Sequence, residues 1–224
     1  MSGRLPFITL LIIGADGVGK TALAKRLCPQ EFTYDPTLGD SCSAMVAVDG
    51  WTCMVDILTT SGMEEYTALY ENFIRDASAF ILAYSVTSRT SFSDIQAHDN
   101  WIKKIKEEMR VAGPPTTYPS YPLYNSVVIL VGTKNDLEAQ REVSVEEGQM
   151  LAKSLNCSFF ETSAKQNTDV EKALHDILRG FRQKNFPTPS EPETPTPSRS
   201  RKGLGRLLGP RQRKNDNGSG CVVM

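Results

Sequence analysis

Residues 14–21 read Gly14-Ala15-Asp16-Gly17-Val18-Gly19-Lys20-Thr21, and the fold prediction starts from this glycine-rich stretch. An apolar, β-branched run at 7–13 precedes it and is typical of a buried strand. The run at 22–27 favours a helix, which Pro29 ends. The glycines let the backbone wrap around an anion, so that N–H groups and the helix N-terminus face bound phosphates. In this context G-x-x-x-x-G-K-T predicts a phosphate-binding loop rather than a plain glycine turn.

Two side chains of this loop have specific roles in the prediction. Lys20 is long enough to reach the β- and γ-phosphates of a nucleotide. Thr21 offers a hydroxyl oxygen to Mg²⁺, a hard cation that prefers oxygen ligands. The loop therefore predicts a nucleoside triphosphate bound together with Mg²⁺, and the base must be specified elsewhere in the chain.

Composition indicates one domain followed by a tail. Hydrophobic residues make up 40% of the 224-residue chain, which is enough for a core. The net charge is −1, yet residues 187–224 hold seven basic and three acidic side chains, so residues 1–186 carry −5. Nucleic-acid binding is therefore not expected, and the basic tail suggests an anionic surface as a partner. The cysteines are scattered without metal-like pairs, so reduced thiols are expected, at Cys28, Cys42, Cys53, Cys157 and Cys221.

Strand and helix signals alternate along the chain. After 7–13, the runs with the composition of strands are 43–48, 52–58, 79–86, 127–131 and 158–160. Asp49-Gly50 is a strong hairpin signal, and 91–110 has helical periodicity. The pattern predicts an α/β fold: a three-layer sandwich with a mostly parallel six-stranded sheet, one antiparallel edge strand and helices on both faces. Polar motifs that follow the strands should meet at one rim of the sheet, where such folds bind ligands.

Local signals mark two helix starts and one insertion. Ser144 with Glu147, and Thr168 with Glu171, have the spacing of capping boxes. Prolines and tyrosines alternate within residues 111–126, which are predicted to form a loop inserted into the domain. A surface insertion and a partner-binding polyproline segment are both compatible with this composition.

The base is predicted from two motifs that follow strands, Thr133-Lys134-Asn135-Asp136 and Ser163-Ala164-Lys165. The Asp136 carboxylate can accept from the N1–H and 2-amino groups of guanine, a donor pair that adenine lacks. Lys134 can pack its stem over the base, and the backbone of 163–165 can donate to the guanine O6. Together with the phosphate loop, these motifs predict GTP and GDP as ligands.

Over residues 5–183 the sequence resembles a small GTPase of the Ras family. The motifs that carry the resemblance are G-x-x-x-x-G-K-T, Y-D-P-T-x-x-D-S, T-x-G-x-E-E-Y, T-K-N-D and E-T-S-A-K. A C-a-a-X box, Cys221-Val222-Val223-Met224, ends the chain as it does in the family. The resemblance implies a signalling switch that binds effector proteins through residues 34–42 and is served by a guanine-nucleotide exchange factor.

The resemblance also assigns roles in two switch segments. In the first, Phe32 would pack on the guanine, and Thr37 would reach Mg²⁺ and the γ-phosphate. In the second, from Thr59 to about Ile74, the Gly62 amide would contact the γ-phosphate. Thr21 and Thr37 would be the metal ligands. The expected nucleotide-binding residues are Asp16, Gly17, Val18, Gly19, Lys20, Thr21, Ala22, Phe32, Tyr34, Thr37, Gly62, Thr133, Lys134, Asp136, Ser163, Ala164 and Lys165.

Four positions depart from the family pattern near the γ-phosphate. The family has glycine at Asp16, aspartate at Thr59, alanine at Ser61, and at Met63 the glutamine that orients the attacking water. Asp16 brings charge and bulk to the place where the arginine of a GTPase-activating protein must enter. Met63 cannot hydrogen-bond a water as an amide can. No catalytic residue is therefore expected to be intact, hydrolysis is expected to be slow, and response to a GTPase-activating protein is doubtful.

The tail predicts a membrane anchor. Residues 187–198 are rich in proline, serine and threonine and are predicted to be a disordered linker before a basic run at 199–214. Methionine at the last position favours farnesylation of Cys221. One lipid binds a membrane only marginally, so the basic run supplies the second signal. The sequence predicts a lipid-anchored protein on the cytoplasmic face of the plasma membrane.

Two other functions are compatible with parts of the sequence. A non-hydrolysing GTP-binding scaffold is favoured by Asp16, Thr59 and Met63. A P-loop kinase of small molecules would need a site for a phosphoryl acceptor and would not need the guanine-reading motif. The predicted domains are 1–186, which binds the nucleotide, and 187–224, the tail.

Overall fold

The computed structural model describes residues 5–28, 33–35, 39–59, 67–112 and 125–186. The strands are β1 (Phe7–Ile13), β2 (Thr33–Asp35), β3 (Gly39–Val48), β4 (Trp51–Thr59), β5 (Ala79–Ser85), β6 (Val127–Thr133) and β7 (Ser158–Glu161). The helices are α1 (Lys20–Leu27), α2 (Thr67–Asp76), α3 (Arg89–Ser93), α4 (Ile95–Ala112), α5 (Val145–Leu155) and α6 (Val170–Asn185), with a 3₁₀ turn at Glu138–Gln140.

The strands form one sheet in the order β2-β3-β4-β1-β5-β6-β7. β1 runs parallel to β4 and β5, and β5, β6 and β7 continue the parallel set. β3 is antiparallel to its neighbours β2 and β4. The predicted α/β fold is thus confirmed, with all six predicted strands in place. The three-residue β2 is an addition, and it pairs only with the first residues of β3, Gly39 to Ser41.

Helices cover both faces of the sheet. Successive side chains of β1 point to opposite faces, so β1 contributes apolar side chains to a core on each side. Ile8, Leu10 and Ile12 are buried in one core, together with side chains of α1 and α6. Leu11 and Ile13 are buried in the other, together with side chains of α2, α4 and α5. The inner strand β5, next to β1, is buried along its whole length, as expected for a strand covered on both faces.

One of the two predicted helix caps is confirmed. The Ser144 hydroxyl accepts from the Glu147 backbone N–H at 3.2 Å, and the Glu147 carboxylate accepts from the Ser144 N–H at 2.9 Å. The cap predicted at Thr168 is wrong, because Asp169 is the N-cap of α6 and makes no side-chain capping bond. The Thr168 backbone instead exchanges two hydrogen bonds with Ser163, which fix the loop after β7.

The sequence analysis predicts no helix at the position of α2, where it places the second switch segment from Thr59 to about Ile74. Its apolar side chains Tyr70, Phe73 and Ile74 have helical spacing and are buried against the sheet. Tyr70 stacks on Trp101 of α4 with ring centroids 4.7 Å apart. This spacing is the signal that identifies the helix. The predicted insertion lies mostly outside the described residues, because α4 continues to Ala112 and residues 113–124 are not described.

The expectation of reduced thiols is wrong for two cysteines. Cys28, directly after α1, forms a disulfide with Cys42 in β3, with the Cα atoms 6.5 Å apart. The pairing could not be read from the sequence, because the fold rather than the spacing brings the end of α1 against β3. Cys53 and Cys157 are free thiols, and burial raises the pKa of each to about 11. Cys221 lies outside the described residues.

We predict that the Cys28–Cys42 cross-link stabilises the oxidised protein. A cross-link over about 15 residues contributes about 3 kcal/mol by restricting the unfolded chain. In oxidising buffer, Cys28→Ala with Cys42→Ala should therefore lower the free energy of unfolding, measured by urea denaturation, by about 2–4 kcal/mol. Reductant should remove most of this difference in the free energy of unfolding, because it destabilises only the wild type. A difference that reductant leaves unchanged would mean that the two side chains act through packing alone.

Candidate nucleotide-binding site

The loops predicted to bind the nucleotide follow strands that end at one rim of the sheet. In the strand register, Ile12 of β1 lies beside Thr59 of β4, and Ser85 of β5 lies beside Thr133 of β6. The loop at 14–19 follows β1, and the loop at 162–165 follows β7. The predicted convergence of the polar motifs on the carboxyl ends of the strands is therefore what the fold produces.

The phosphate loop needs glycine at three positions. A side chain on Gly14 would place a Cβ 2.0 Å from the Ala83 carbonyl oxygen, so only glycine permits this approach of the loop to β5. Gly17 and Gly19 have φ values of 73° and 100°, a conformation that other residues rarely adopt. Gly19 directly precedes Lys20, the first residue of α1. The loop backbone is thus shaped to turn N–H groups toward a bound anion.

Lys20 lies across the phosphate loop. Its side chain is buried, and its Nζ donates to the carbonyl oxygens of Gly14 at 2.7 Å and Ala15 at 3.0 Å. The ammonium group is therefore held inside the loop, where it adds a positive charge to the N–H groups. This is the placement that the motif predicts for the contact with nucleotide phosphates.

Asp16 stands close to the same ammonium group. Its Oδ1 lies 3.7 Å from Lys20 Nζ, while the Asp16 side chain is 68% exposed. The carboxylate reaches outward from the loop, so its negative charge lies on the solvent side of the phosphate site. Because solvent screens the attraction between the two groups, the contact adds little to the stability of the fold. Its consequence is a negative charge beside the Lys20 ammonium group.

The loop after β6 is fastened to the phosphate loop by two side chains. The Thr133 hydroxyl lies 2.5 Å from the Val18 carbonyl oxygen and 2.9 Å from that of Tyr84, and its single proton serves both. Lys134 Nζ donates to the Gly17 carbonyl at 2.6 Å, and Lys134 has a positive φ of 62°. The part of the site predicted to bind the base is thus held in register with the part predicted to bind phosphate.

Asp136 is oriented by the loop after β7. Ser163 Oγ donates to Asp136 Oδ1 at 2.7 Å and accepts from the Gln166 backbone N–H at 3.0 Å. Backbone bonds join the same two loops, from Asn135 N to Thr162 O at 3.2 Å and from Thr162 N to Gly132 O at 2.7 Å. The carboxylate and the backbone of 163–165, which the sequence assigns to the two edges of guanine, are therefore brought together.

An open cleft of about 450 Å³ lies between α1 and the loop after β7. Its lining residues are Ala22, Lys25, Arg26, Ala164 and Lys165. Three of the predicted site residues contribute to this surface, from both of its sides. The helix α1, which follows the phosphate loop, forms one side of this cleft, and residues 164 and 165 form the other; Lys134 and Asp136 are not among its lining residues.

The oxygen donors at the rim fit Mg²⁺. Thr59, the last residue of β4, is 1% exposed, and its Oγ1 has no hydrogen-bond partner among the described residues. An orphaned hydroxyl at this edge can bond a water of a hydrated cation. Thr21 contributes its hydroxyl from the first turn of α1. No cluster of three histidine, cysteine or acidic side chains occurs in the described ranges. Hydroxyls and nucleotide phosphates would thus supply the ligands.

Several predicted site residues cannot be placed. Phe32, Thr37, Ser61, Gly62 and Met63 lie outside the described residues. Tyr34 belongs to β2, and only its backbone is described. The roles predicted for these residues therefore remain predictions.

Sequence reasoning missed two arginines that support the base loop. Arg141 forms a two-pronged ion pair with Glu161, the last residue of β7, at 2.7 and 2.8 Å. Hydrogen bonding to Glu161 raises the pKa of Arg141, so the pair stays charged. Arg26 of α1 donates to the Ala164 carbonyl at 2.5 Å. For Arg26 the available signal was its position four residues after Ala22, which puts both on one face of α1.

Comparison with known proteins identifies the family. The Ras family model matches residues 9–183, which include every motif described above except the tail. This chain belongs to the Ras family. Among fungal relatives, Ras-like protein 1 of Pyricularia oryzae is 43% identical over 91% of this chain and 86% of the relative. Ras-like protein B of Aspergillus fumigatus is 47% identical over 78% and 77%. Protein ras-2 of Neurospora crassa is 40% identical over 96% of each chain.

Membership confirms the resemblance and makes the protein a small GTPase, an enzyme that binds and hydrolyses GTP. Ras-family proteins bind GTP and GDP with Mg²⁺ and act through effectors and exchange factors, which agrees with the donors at the rim of the sheet. The bound Mg²⁺ offsets the negative charge of the phosphates. Of the two residues predicted to hold this ion, Thr21 lies in the first turn of α1 and Thr37 lies outside the described residues.

We predict that the Thr133 hydroxyl couples the two loops. Thr133→Val keeps the shape but leaves buried carbonyls without their donor, which should lower the free energy of unfolding by about 1–3 kcal/mol. Release of a fluorescent guanine nucleotide should also accelerate, because Val18 belongs to the phosphate loop. Thr133→Ser keeps the hydroxyl and is the matched control. A loss with Thr133→Ser and none with Thr133→Val would assign the role to the methyl group instead.

Proposed function

We propose that this Ras-family protein is a guanine-nucleotide switch that binds GTP firmly, hydrolyses it slowly and is held at a membrane by a lipid on Cys221. The observation that carries the proposal is the Asp16 carboxylate, 3.7 Å from the Lys20 ammonium, in a phosphate loop that is otherwise complete. A complete loop supports binding. A carboxylate on its outer side opposes the steps that need another positive group there.

Selectivity for guanine rests on Asp136 and the backbone of 163–165. The Ser163 hydroxyl orients the Asp136 carboxylate, which can then accept from the N1–H and 2-amino groups of guanine. Adenine would leave this carboxylate without those donors, and an unpaired polar group of this kind discriminates strongly between ligands. The same residues argue against a small-molecule kinase, which does not need to read guanine.

Slow hydrolysis follows from two side chains. In Ras itself, an arginine supplied by a GTPase-activating protein accelerates hydrolysis by about 10³–10⁵, and a glutamine orients the attacking water. The Asp16 side chain would obstruct the entry of that arginine. Its negative charge would also attract the guanidinium away from the transferring phosphoryl group. Met63 has no group that can orient water. Both changes act on the transition state rather than on ground-state binding, so nucleotide affinity is retained while turnover falls.

Fast nucleotide exchange follows from Thr59. A carboxylate at this position would hold the waters of Mg²⁺, whereas the buried Thr59 hydroxyl offers one neutral oxygen. Weaker support of the ion should speed nucleotide release. Slow hydrolysis with fast exchange in a cell rich in GTP would keep the protein mainly in its GTP form. Signalling would then proceed through effectors bound by residues 34–42, and an exchange factor would accelerate a step that is already fast.

Membrane attachment rests on the tail. Cys221 stands in a C-a-a-X box, and seven basic residues lie between 199 and 214. Among the described helices, none combines the length and apolar character needed to cross a bilayer. A farnesyl group with a basic cluster provides the two signals that stable attachment requires.

A non-hydrolysing scaffold is the second candidate, and Asp16 favours it for the same reason that it favours slow turnover. A single-turnover assay with radiolabelled GTP separates the two candidates. Slow release of phosphate that stops on removal of Mg²⁺ identifies an enzyme. No release above the uncatalysed rate identifies a scaffold.

We predict that Asp16→Gly with Met63→Gln restores hydrolysis. The double variant should respond to a Ras GTPase-activating protein with an increase of at least about 10³-fold in single-turnover rate, the lower end known for Ras. The wild type should respond far less, and each single variant should lie between the two. Equal affinity of all four proteins for a non-hydrolysable GTP analogue is the control. A wild-type response on the scale of Ras would refute the role given to Asp16.

We predict that Thr59→Asp slows nucleotide release. The added carboxylate should accept hydrogen bonds from the waters of Mg²⁺ and so hold the ion, at a gain of about 10–100-fold in metal affinity. Release of a fluorescent GDP is followed while free Mg²⁺ is titrated. The variant should retain GDP at lower Mg²⁺ than the wild type does. Thr59→Ser keeps a hydroxyl and should behave as the wild type. Identical Mg²⁺ dependence of all three proteins would contradict the argument.

We predict that Cys221→Ser leaves the protein in the soluble fraction of lysed cells. Replacing the seven tail bases with glutamine should keep lipidation, measured by mass spectrometry, but weaken attachment. Each base contributes about 1 kcal/mol near an anionic leaflet, so the loss should be larger on vesicles that contain phosphatidylserine than on neutral ones. Sedimentation of Cys221→Ser with membranes would place the anchor elsewhere.

A further inference from the structure

We propose that Arg26 is a positioning residue for guanine: it holds the backbone of Ala164 and Lys165, and through that backbone the Asp136 carboxylate, in the geometry that reads the base. This inference rests on the proposed function, because it assumes that Asp136 and the backbone of 163–165 read guanine. Arg26 lies outside every motif by which the family was identified.

The geometry of Arg26 joins two distant parts of the chain. Its Nε donates to the Ala164 carbonyl at 2.5 Å, and its Nη2 donates to the Lys165 carbonyl at 3.4 Å. The guanidinium is a rigid, permanently charged fork, so bonds to successive carbonyls fix the orientation of both peptide groups. All three residues line the cleft of about 450 Å³.

The bonds continue from Arg26 to the guanine-reading carboxylate. The peptide group that joins Lys165 to Gln166 accepts from Arg26 at its oxygen, and its N–H donates to Ser163 Oγ at 3.0 Å. Ser163 Oγ donates in turn to Asp136 Oδ1 at 2.7 Å. Each donor in this chain polarises the next, so a charge at its start strengthens the bonds that follow. Arg26 thus acts on both elements assigned to guanine.

The backbone hydrogen bonds of the loop after β7 hold Ser163, and Arg26 holds the two residues that follow it. Ser163 is fixed by its two backbone bonds to Thr168, at 3.2 and 3.0 Å. The bonds of Arg26 reach the next two residues, Ala164 and Lys165, at the part of the loop that faces α1. In a trans peptide the N–H points opposite to the C=O, so holding the Ala164 oxygen toward α1 also sets the direction of the Lys165 N–H.

The placement of Arg26 on α1 links base and phosphate. The helix begins with Lys20 and Thr21, which the phosphate loop presents to the nucleotide, and Arg26 lies one turn after Ala22 on the same face. A single helix therefore contacts both the phosphate loop and the base-reading loop. Loosening its far end should free the base-reading loop while the phosphate loop stays intact.

The test compares nucleotides that differ in the atoms this loop reads. Affinities of full-length wild type, Arg26→Ala and Arg26→Lys are measured by calorimetry for GDP, inosine diphosphate and 2-aminopurine riboside diphosphate. Inosine keeps O6 and N1–H, whereas 2-aminopurine lacks both. Lys25→Ala removes a charge from the same cleft and is the control. Thermal midpoints of the nucleotide-free proteins report on folding.

Arg26→Ala should lower the affinity for GDP and for inosine diphosphate by about tenfold, which is the contribution of one charge-assisted hydrogen bond. Its effect on the 2-aminopurine nucleotide should be less than about twofold on the same scale. Arg26→Lys should recover part of the loss, since an ammonium reaches one carbonyl but cannot bridge two. Lys25→Ala should weaken all three nucleotides equally or not at all.

Equal weakening of all three nucleotides by Arg26→Ala would overturn the inference and assign Arg26 a general structural role. Unchanged affinities would overturn it as well. Failure of the proposed function gives a different result, because wild-type protein would then bind ADP as well as GDP. The variant Asp136→Asn tests the assignment of guanine recognition to Asp136. It should lower the affinity for GDP and raise the affinity for xanthosine diphosphate, whose base has an acceptor where guanine has the 2-amino donor.

Discussion

The site depends on the bonds by which the loop after β6 grips the phosphate loop. The Thr133 hydroxyl reaches the Val18 carbonyl, and the Lys134 ammonium reaches that of Gly17. These bonds bring together loops more than 110 residues apart in the chain. They are possible because β1, β5 and β6 are adjacent and parallel, so their carboxyl ends meet. The loops predicted to bind phosphate and base are therefore parts of one connected unit.

Within this unit, the proposed function separates nucleotide binding from hydrolysis. The groups predicted to hold the nucleotide are mutually supported: Lys20 lies in the loop, and Ser163 orients Asp136. The substitutions proposed to slow turnover, at Asp16 and Met63, leave these contacts alone. Because transition-state groups can be lost without loss of ground-state binding, a Ras-family fold can persist with its signal set toward the GTP form.

Much of the fold and site could be predicted because it follows from local sequence. A run such as 7–13 before a glycine-rich loop specifies strand and turn together, and the motif at 133–136 follows a strand of the same kind. Features that depend on long-range contact could not be predicted in this way. The Cys28–Cys42 disulfide needs the end of α1 to meet β3, and Thr168 is diverted from capping by its bonds to Ser163. Arg26 contacts residues 138 and 139 positions away, and its spacing from Ala22 indicates a face of α1 but not these partners.

The nucleotide that co-purifies with the protein from cells shows whether hydrolysis is slower than nucleotide exchange. Full-length protein is purified rapidly in Mg²⁺, and the nucleotide released by heat is resolved by anion-exchange chromatography. Slow hydrolysis with fast exchange predicts that GTP is the main species, and that the variant with Asp16→Gly and Met63→Gln carries mainly GDP. Wild-type protein that carries mainly GDP would contradict the account, since it would show that hydrolysis outpaces exchange despite the changes at the γ-phosphate.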